Sequence, residues 1–213
     1  LSLSIRPNRD VNMGKVLIAY NNNFETVLHD FFESCADEAK QICFDNGIDY
    51  SAVCPPDLNE QNVTSVMPEL HLCFLVAHGD ADGIYNEKGE PVVSTRTTNY
   101  NFNGKGFYSI ACSCAQNLYP HMNTMGARLF VGYNDILRVK GELGPFVNSA
   151  MAGLKSFLAG DSAKEAKKKM LTEYDDQIAS LEETNHWAAK FLVHNKEALV
   201  FDGEDTLVFS DLQ

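Results

Sequence analysis

Short apolar segments rich in strand-forming residues alternate with segments of helical periodicity, and this alternation constrains the fold most strongly. The strand segments read KVLIAY, DYSAVC, HLCFLVA, GFYSIAC and ARLFVGY. Apolar residues recur at helical spacing over residues 24–46, and a second, shorter helix is expected around residues 59–68. A strand, helix, strand order implies a mostly parallel sheet with helices on both faces. The sequence therefore predicts an α/β fold.

The last third of the chain carries helix boundaries and a hairpin signal. Pro145 suits the first turn of a helix and Gly160 its C-terminal end. Ser162, with Glu165 three residues later, is a capping-box pattern that opens the next helix. The stretch EALVFDGEDTLVFSD alternates around Asp-Gly, which predicts a C-terminal hairpin, and PVVS predicts a small edge strand.

Length and composition indicate a single domain. A chain of 213 residues that is 45% hydrophobic suits one compact core, which we expect residues 13–213 to form. Residues 1–12 are polar and unpatterned, as is typical of a linker or a processing remnant. The six cysteines mostly lie in apolar segments of a chain that is too large to need disulfides, so we expect reduced thiols.

The charge balance and hydropathy exclude some classes of partner. Lys and Arg total 17 against 29 Asp and Glu, a formal net charge of -12. Phosphate-rich partners, nucleic acid and anionic membrane, would therefore be repelled. The sequence has no apolar run of the roughly 18 residues that a membrane span needs, and its start lacks the apolar centre of a signal peptide. We expect a soluble, cytoplasmic protein.

Two strand segments end in side chains that suit nucleophilic catalysis. His78 directly follows CFLVA, and Cys112 directly follows FYSIA. The carboxyl ends of parallel strands share one edge of a sheet, where ligands bind. If these strands are neighbours, the pair supplies a thiol nucleophile and a general base. Gly79 would leave a backbone N–H unobstructed, and with the N–H of Cys112 it would form an oxyanion hole.

From the residues alone, structural roles for these side chains also remain open. A His-Gly pair after a strand is ordinary turn chemistry, and a cysteine in an apolar strand is usually a core residue. Cys112 and Cys114 lie at the mouth of the same strand, so either is a candidate nucleophile. A metal or redox pair at CSC lacks both the C-x-x-C spacing and a second cluster, so we predict no metal and no cofactor. The segment AYNNNFE has no glycine, which argues against a nucleotide-binding phosphate loop.

Several short motifs together resemble a known family. VAHGDADG, YSIACSCAQNL, GARLFVGY and FVNSAMAGLKSFLAGDSAKEA occur in that order over about residues 70–170. They resemble the caspase-like (clan CD) cysteine peptidases, above all the bacterial CHAT-type proteases. The resemblance implies a three-layer caspase-like fold and a cysteine endopeptidase. In it, Cys112 is the nucleophile, His78 the catalytic histidine and Gly79 the oxyanion-hole glycine, while Cys114 takes the place of a small residue.

The chain departs from the family pattern next to the nucleophile. Caspases carry Gln-Ala-Cys-X-Gly, whereas Ile110 stands two residues before Cys112 and Cys114 two residues after it. Metacaspases and clostripain-like members have an Asp at the position of Ile110, which helps to select a basic residue in the substrate. An Arg or Lys preference is therefore not inherited.

The resemblance also implies partners and a biological setting. Loops that flank the catalytic edge shape the substrate pocket in this family, which makes Asp135 and Arg138 candidate substrate-binding residues. A protein or peptide substrate, an activating or regulatory protein subunit and a role in bacterial defence or regulated cell death are implied. The alternative is a catalytically silent, caspase-like scaffold within a larger complex.

Overall fold

The computed structural model describes residues 14–97 and 100–213, so the predicted linker at residues 1–12 lies outside the described residues. Nine strands and six α-helices follow one another along the described ranges. The strands are β1 (Lys15–Tyr20), β2 (Asp49–Val53), β3 (Leu72–Val76), β4 (His78–Gly79), β5 (Gly83–Tyr85), β6 (Pro91–Ser94), β7 (Gly106–Ile110), β8 (Leu129–Tyr133) and β9 (Leu199–Gly203). The helices are α1 (His29–Asn46), α2 (Glu60–Val66), α3 (Leu118–Thr124), α4 (Gly144–Leu158), α5 (Ala163–Glu182) and α6 (His186–Ala198).

The main sheet has six strands in the order β2-β1-β3-β7-β8-β9. The first five of these strands run parallel, and only β9 is antiparallel to its neighbour. A second, small antiparallel sheet contains β4, β5 and β6, and its last strand is the predicted PVVS segment. The predicted α/β fold with a mostly parallel sheet is confirmed.

Helices cover both faces of the main sheet. Strands β3, β7 and β8 are buried along their whole length, as is typical of strands packed on both sides. Alternate side chains pack into two core clusters, one against α1, α4, α5 and α6 and the other against α2 and α3. None of the described helices is long and apolar enough to cross a membrane.

Helix α1 begins at His29, five residues later than the periodicity predicts. The side chains of Phe24 and Val27 are 82% and 95% exposed, so they do not belong to the apolar face of the helix. The side chain of Asn23 accepts the backbone N–H of Glu25 at 2.9 Å. Such local side-chain bonds compete with helix formation, which is why the asparagine-rich segment forms turns before the helix starts.

The C-terminal antiparallel pair is formed by β8 and β9, whose register places Leu129 opposite Gly203 and Tyr133 opposite Leu199. Gly203 ends β9 instead of forming a hairpin turn, and the chain continues through a short 3₁₀ helix, Phe209–Asp211. An open edge of a sheet offers a row of unpaired backbone groups. β9 pairs with that edge of β8 rather than with the residues that follow it.

Helix α4 begins and ends as the sequence predicts, and α5 begins as predicted. Pro145 lies in the first turn of α4, and Gly160 follows its end with φ of 101°. Ser162 is the N-cap of α5, and its hydroxyl accepts the backbone N–H of Glu165 at 3.3 Å. A matched cap satisfies a backbone donor that the helix cannot.

Candidate active site

His78 and Cys112 follow the ends of two neighbouring strands. In the parallel pairing of β3 with β7, Val76 lies opposite Ile110. His78 and Cys112 each lie two residues beyond this pair, at the same edge of the sheet. Side chains two residues apart along a strand share a face. The side chains of His78 and Cys112 lie on the same face of the sheet, since each packs against the core cluster of α1 and α4.

Gly79 brings the His-Gly segment into contact with the turn after β7. A β-carbon at position 79 would lie 2.9 Å from the β-carbon of Ala111 and 2.9 Å from the carbonyl oxygen of Cys112. Both neighbours belong to the turn after β7, and neither can move as the end of a flexible side chain would. Glycine is therefore required here by close packing of two backbone segments.

The His78 imidazole is partly buried against an aromatic ring of α1. Its ring centroid lies 5.2 Å from that of Phe32, with an interplanar angle of 77°. Burial holds the pKa of His78 below its usual value, because the charged form loses hydration. Within residues 14–97 and 100–213, neither ring nitrogen has a hydrogen-bond partner. The imidazole is thus neutral at pH 7 and free to accept a proton.

The Cys112 thiol is partly buried and is held by a backbone donor. The N–H of Leu137 donates to its Sγ at 3.4 Å. Burial raises the pKa of the Cys112 thiol, the bond from Leu137 opposes that effect, and the carboxylate of Asp135 adds to it. The protonated thiol is the favoured form at neutral pH. In the described part of the chain, no hydrogen bond joins this thiol to His78.

Cys114 occupies a different environment from Cys112, although two residues separate them. It is completely buried in the core cluster of α2 and α3. Its Sγ is 3.2 Å from the hydroxyl of Ser109 and donates to the carbonyl oxygen of Ala111 at 3.4 Å. Burial also raises the pKa of the Cys114 thiol. A substrate can approach Cys112 without rearrangement of the core, whereas Cys114 would first have to leave it.

Asp135 and Arg138 lie on the segment that follows β8. The carbonyl oxygen of Asp135 accepts the N–H of Ser113 at 3.0 Å, which places this residue beside the nucleophile turn. Arg138 is exposed, and its backbone N–H and C=O both pair with the side chain of Asn195 in α6. Asp135 therefore flanks Cys112 directly, while Arg138 is tied to α6.

The acidic DADG sequence forms a compact turn next to the site. One carboxylate oxygen of Asp80 accepts the N–H groups of Asp82 and Gly83 and the hydroxyl of Tyr85. Asp82 accepts from the side chain of Asn117 at 2.9 Å, which joins this turn to the segment after Cys112. The carboxylates thus stabilise the loop around His78 and Gly79.

Three residues of the site lie far from it in sequence and were not predicted. Phe32 packs against His78, and the N–H of Leu137 donates to the Cys112 thiol. The side chain of Asn195 bonds to the backbone of Arg138, next to Leu137. Each contributes a common side chain or a backbone group, and no local motif distinguishes it. No group of three or more His, Cys, Asp or Glu side chains suited to a metal ion occurs among the described residues.

Comparison with known proteins identifies the fold. No family model and no curated protein matches the chain. The crystal structure of the Arg-specific cysteine proteinase gingipain R is similar with a TM-score of 0.66 and 11% identity, over 92% of this chain and 47% of that one. A chain of the Saccharomyces cerevisiae separase–securin complex is similar with a TM-score of 0.52 and 12% identity, over 89% of this chain and 12% of that one. The chain has the caspase-like fold.

At these identities the likeness is one of fold, and the chain spans less than half the length of either similar protein. Within the caspase-like fold of this chain, a partly buried thiol and a neutral imidazole lie at one sheet edge. A thiol can attack a carbonyl carbon when a base accepts its proton. The arrangement therefore contains the groups that acyl transfer needs. The thiol accepts a hydrogen bond from the backbone of Leu137.

Proposed function

We propose that the chain is a cysteine endopeptidase that uses a Cys112–His78 dyad. The observation that supports this most directly is the position of a partly buried thiol and a neutral imidazole at the ends of adjacent parallel strands in a caspase-like fold. Cys112 is more exposed than Cys114, and the family resemblance also favours Cys112 as the nucleophile. Cys114, buried and bonded to Ser109, remains the alternative nucleophile.

In the proposed acylation step, Sγ of Cys112 forms a bond to the peptide carbonyl carbon while His78 accepts the thiol proton. The carbonyl oxygen becomes an oxyanion, which the backbone N–H groups of Gly79 and Cys112 stabilise. When the C–N bond breaks, His78 returns the proton to the leaving amine. A thioester of Cys112 and the first peptide product result.

In the proposed deacylation step, His78 takes a proton from water as the water oxygen attacks the thioester carbon. Collapse of the second oxyanion breaks the C–S bond and releases a carboxylic acid, and the proton returns to the thiol. The reaction uses only these side chains, backbone N–H groups and water. No cofactor or metal enters the proposed mechanism.

The protonation states support a resting enzyme rather than a preformed ion pair. Burial raises the pKa of Cys112 and lowers that of His78, so thiol and imidazole are both neutral at pH 7. The thiol is also engaged by the N–H of Leu137. We propose that binding of a substrate or of an activating protein subunit brings Sγ into hydrogen-bond contact with the imidazole.

The proposed substrate is a protein or peptide. The similar structures are named as an Arg-specific cysteine proteinase and as a separase–securin complex. This chain has Ile110 two residues before the proposed nucleophile, where metacaspases and clostripain-like enzymes have an acidic residue. A preference for Arg or Lys is therefore not carried over to this chain, and Asp135 and Arg138 stay candidate substrate-binding residues. The CHAT-type sequence resemblance supports a cytoplasmic role in bacterial defence or regulated cell death.

One observation favours the alternative, a catalytically silent scaffold. In the described residues the Cys112 thiol bonds to Leu137 and not to His78. A scaffold would keep this arrangement permanently. A peptidase would bring the thiol to His78 when activated.

The two functions are separated by cleavage of an unfolded protein, followed by mass spectrometry of the products. We expect the wild type to produce discrete peptides and the variants Cys112→Ser and His78→Gln to produce none. Cys54→Ser is the matched control, because Cys54 is another free, partly buried cysteine and lies outside the site. Cleavage that survives in Cys112→Ser and is lost in Cys114→Ser would move the nucleophile by two residues.

A wild type that produces no peptides needs a second measurement, which is covalent capture by a peptidyl acyloxymethyl ketone. Capture at Cys112 that depends on His78 indicates a competent but selective peptidase. If the probe leaves Cys112 unmodified with and without candidate activating proteins, the scaffold function replaces the peptidase function.

A further inference from the structure

Residues 134–138, which we name the post-β8 loop, lie against the turn that carries the nucleophile. The N–H of Leu137 donates to Sγ of Cys112 at 3.4 Å. The carbonyl oxygen of Asp135 accepts the N–H of Ser113 at 3.0 Å. The thiol environment therefore depends on where this loop lies.

Helix α6 holds the opposite side of the post-β8 loop. The side chain of Asn195 accepts the N–H of Arg138 and donates to the C=O of the same residue, both at 2.9 Å. Nε2 of His194 lies 2.9 Å from the carbonyl oxygen of Ile136. The loop is thus clamped between α6 and the nucleophile turn.

Asn195 is unusual among the inward residues of α6. It is 3% exposed, whereas the other buried residues of the helix are apolar: Ala188, Ala189, Leu192 and Ala198. A buried amide costs free energy unless its donor and acceptor are both paired, and here one residue of the loop pairs with both. Helix packing alone would be served by an apolar side chain. The amide adds a restraint on the backbone next to Leu137.

We propose that Asn195 is a positioning residue for the nucleophile, which holds the post-β8 loop so that the N–H of Leu137 points at the Cys112 thiol. The role rests on the proposed function in that Cys112 is the reactive thiol. A donor aimed at sulfur favours the thiolate over the thiol. Loss of the clamp therefore makes the thiolate harder to form.

Other ionisable groups lie around the thiol. The carboxylate of Asp135 lies close enough to disfavour the thiolate of Cys112. Nε2 of His194 is 3.9 Å from that carboxylate, and His78 follows the neighbouring strand. Asn195 carries no charge, so a neutral substitution at this position adds and removes no charge around the thiol.

The test is the rate of iodoacetamide alkylation of Cys112 as a function of pH, read by peptide mapping. The decisive variant is Asn195→Leu, which keeps the branched shape of the side chain and removes both hydrogen bonds. We expect the pH midpoint to rise, so that alkylation at neutral pH slows by about threefold to tenfold. The plateau rate at high pH will not fall, because access to the thiol is not reduced.

Leu192→Ala is the matched control, because it removes buried volume from the same helix and keeps both hydrogen bonds between Asn195 and Arg138. Its midpoint should equal that of the wild type. If Asn195→Leu does not fold, Asn195→Ala removes the same bonds without a steric conflict. An unchanged midpoint in the Asn195 variants, or an equal shift in Leu192→Ala, would overturn the proposal.

The readout also separates this proposal from the proposed peptidase activity. Alkylation reports the thiol whether or not peptides are cleaved. A midpoint that depends on Asn195 in a protein without any peptidase activity would keep the positioning role and remove the proposed function. If peptides are cleaved and the alkylation midpoint does not change in the Asn195 variants, the proposed function stays and the positioning role of Asn195 is removed.

Discussion

Gly79 lies so close to Ala111 that a β-carbon at position 79 would stand 2.9 Å from the β-carbon of Ala111. The same atom would stand 2.9 Å from the carbonyl oxygen of Cys112. Backbone contact between the two strand ends therefore sets the spacing of His78 and Cys112. The side chains that we propose as a dyad are placed by packing of their glycine and alanine neighbours.

Substitution Gly79→Ala is expected to destabilise the protein and to abolish peptide hydrolysis. The added methyl group forces the two strand ends apart, and overpacking of this kind costs about 1–3 kcal/mol. Urea unfolding measures the first effect and product analysis the second. Gly144→Ala is the control, because a β-carbon there has no heavy atom within 4 Å and alanine favours a helix. Equal stability of the two variants would contradict the close packing at position 79.

Native alkylation is expected to distinguish the six free cysteines by burial. Cys112 and Cys54 are partly buried and should react in the folded protein. The fully buried thiols should react only after denaturation, because a reagent cannot reach them without local opening: Cys35, Cys43, Cys73 and Cys114. Peptide mapping before and after addition of guanidinium chloride measures this. Native labelling of Cys114 ahead of Cys112 would show that the turn opens in solution.

The His78 imidazole is expected to titrate below the usual histidine pKa of about 6.5. Burial against Phe32 is the cause, so Phe32→Leu, which leaves more room for water, should raise the pKa of His78 toward the usual value. Chemical shifts of the ring protons as a function of pH measure it. Phe31→Leu is the matched control in the same helix. An equal shift in both variants would mean that the contact with Phe32 does not matter.

Protein stability is expected to fall on mild acidification, in part because of His71. Its Nδ1 accepts the N–H of Lys15 at 2.9 Å, and burial and nearby Lys105 hold the pKa of His71 below its usual value. The unfolded chain therefore binds the proton at higher pH than the folded one. The stabilisation is complete above the usual histidine pKa and is lost as pH falls toward the folded-state pKa.

The measurement for His71 is the urea midpoint at neutral and at mildly acidic pH. His71→Asn keeps a hydrogen-bond acceptor near the Nδ1 position and removes the titration. The loss of stability on acidification should therefore be smaller in the variant than in the wild type. An identical loss would assign the pH dependence to other groups.

Local patterns predicted the elements of the main sheet well. The apolar runs at residues 15–20 and 106–112 contain β1 and β7, and Ser162 with Glu165 marks the start of α5. Each depends on periodicity or on a cap within a few residues. The start of α1 was predicted too early, because side-chain bonds of asparagine displaced a helix that periodicity alone would extend.

The α/β class, the positions of His78 and Cys112 at strand ends and the family resemblance all follow from residues that are adjacent along the chain. Three features depend on the folded chain: the pairing of β3 with β7, the burial of Cys114 and the bonds that join Asn195 to Arg138. The bonds of Asn195 join residues that are 57 positions apart in the sequence. Hydrogen bonds and burial of that kind have no period and no local motif, because they exist only once distant segments pack together.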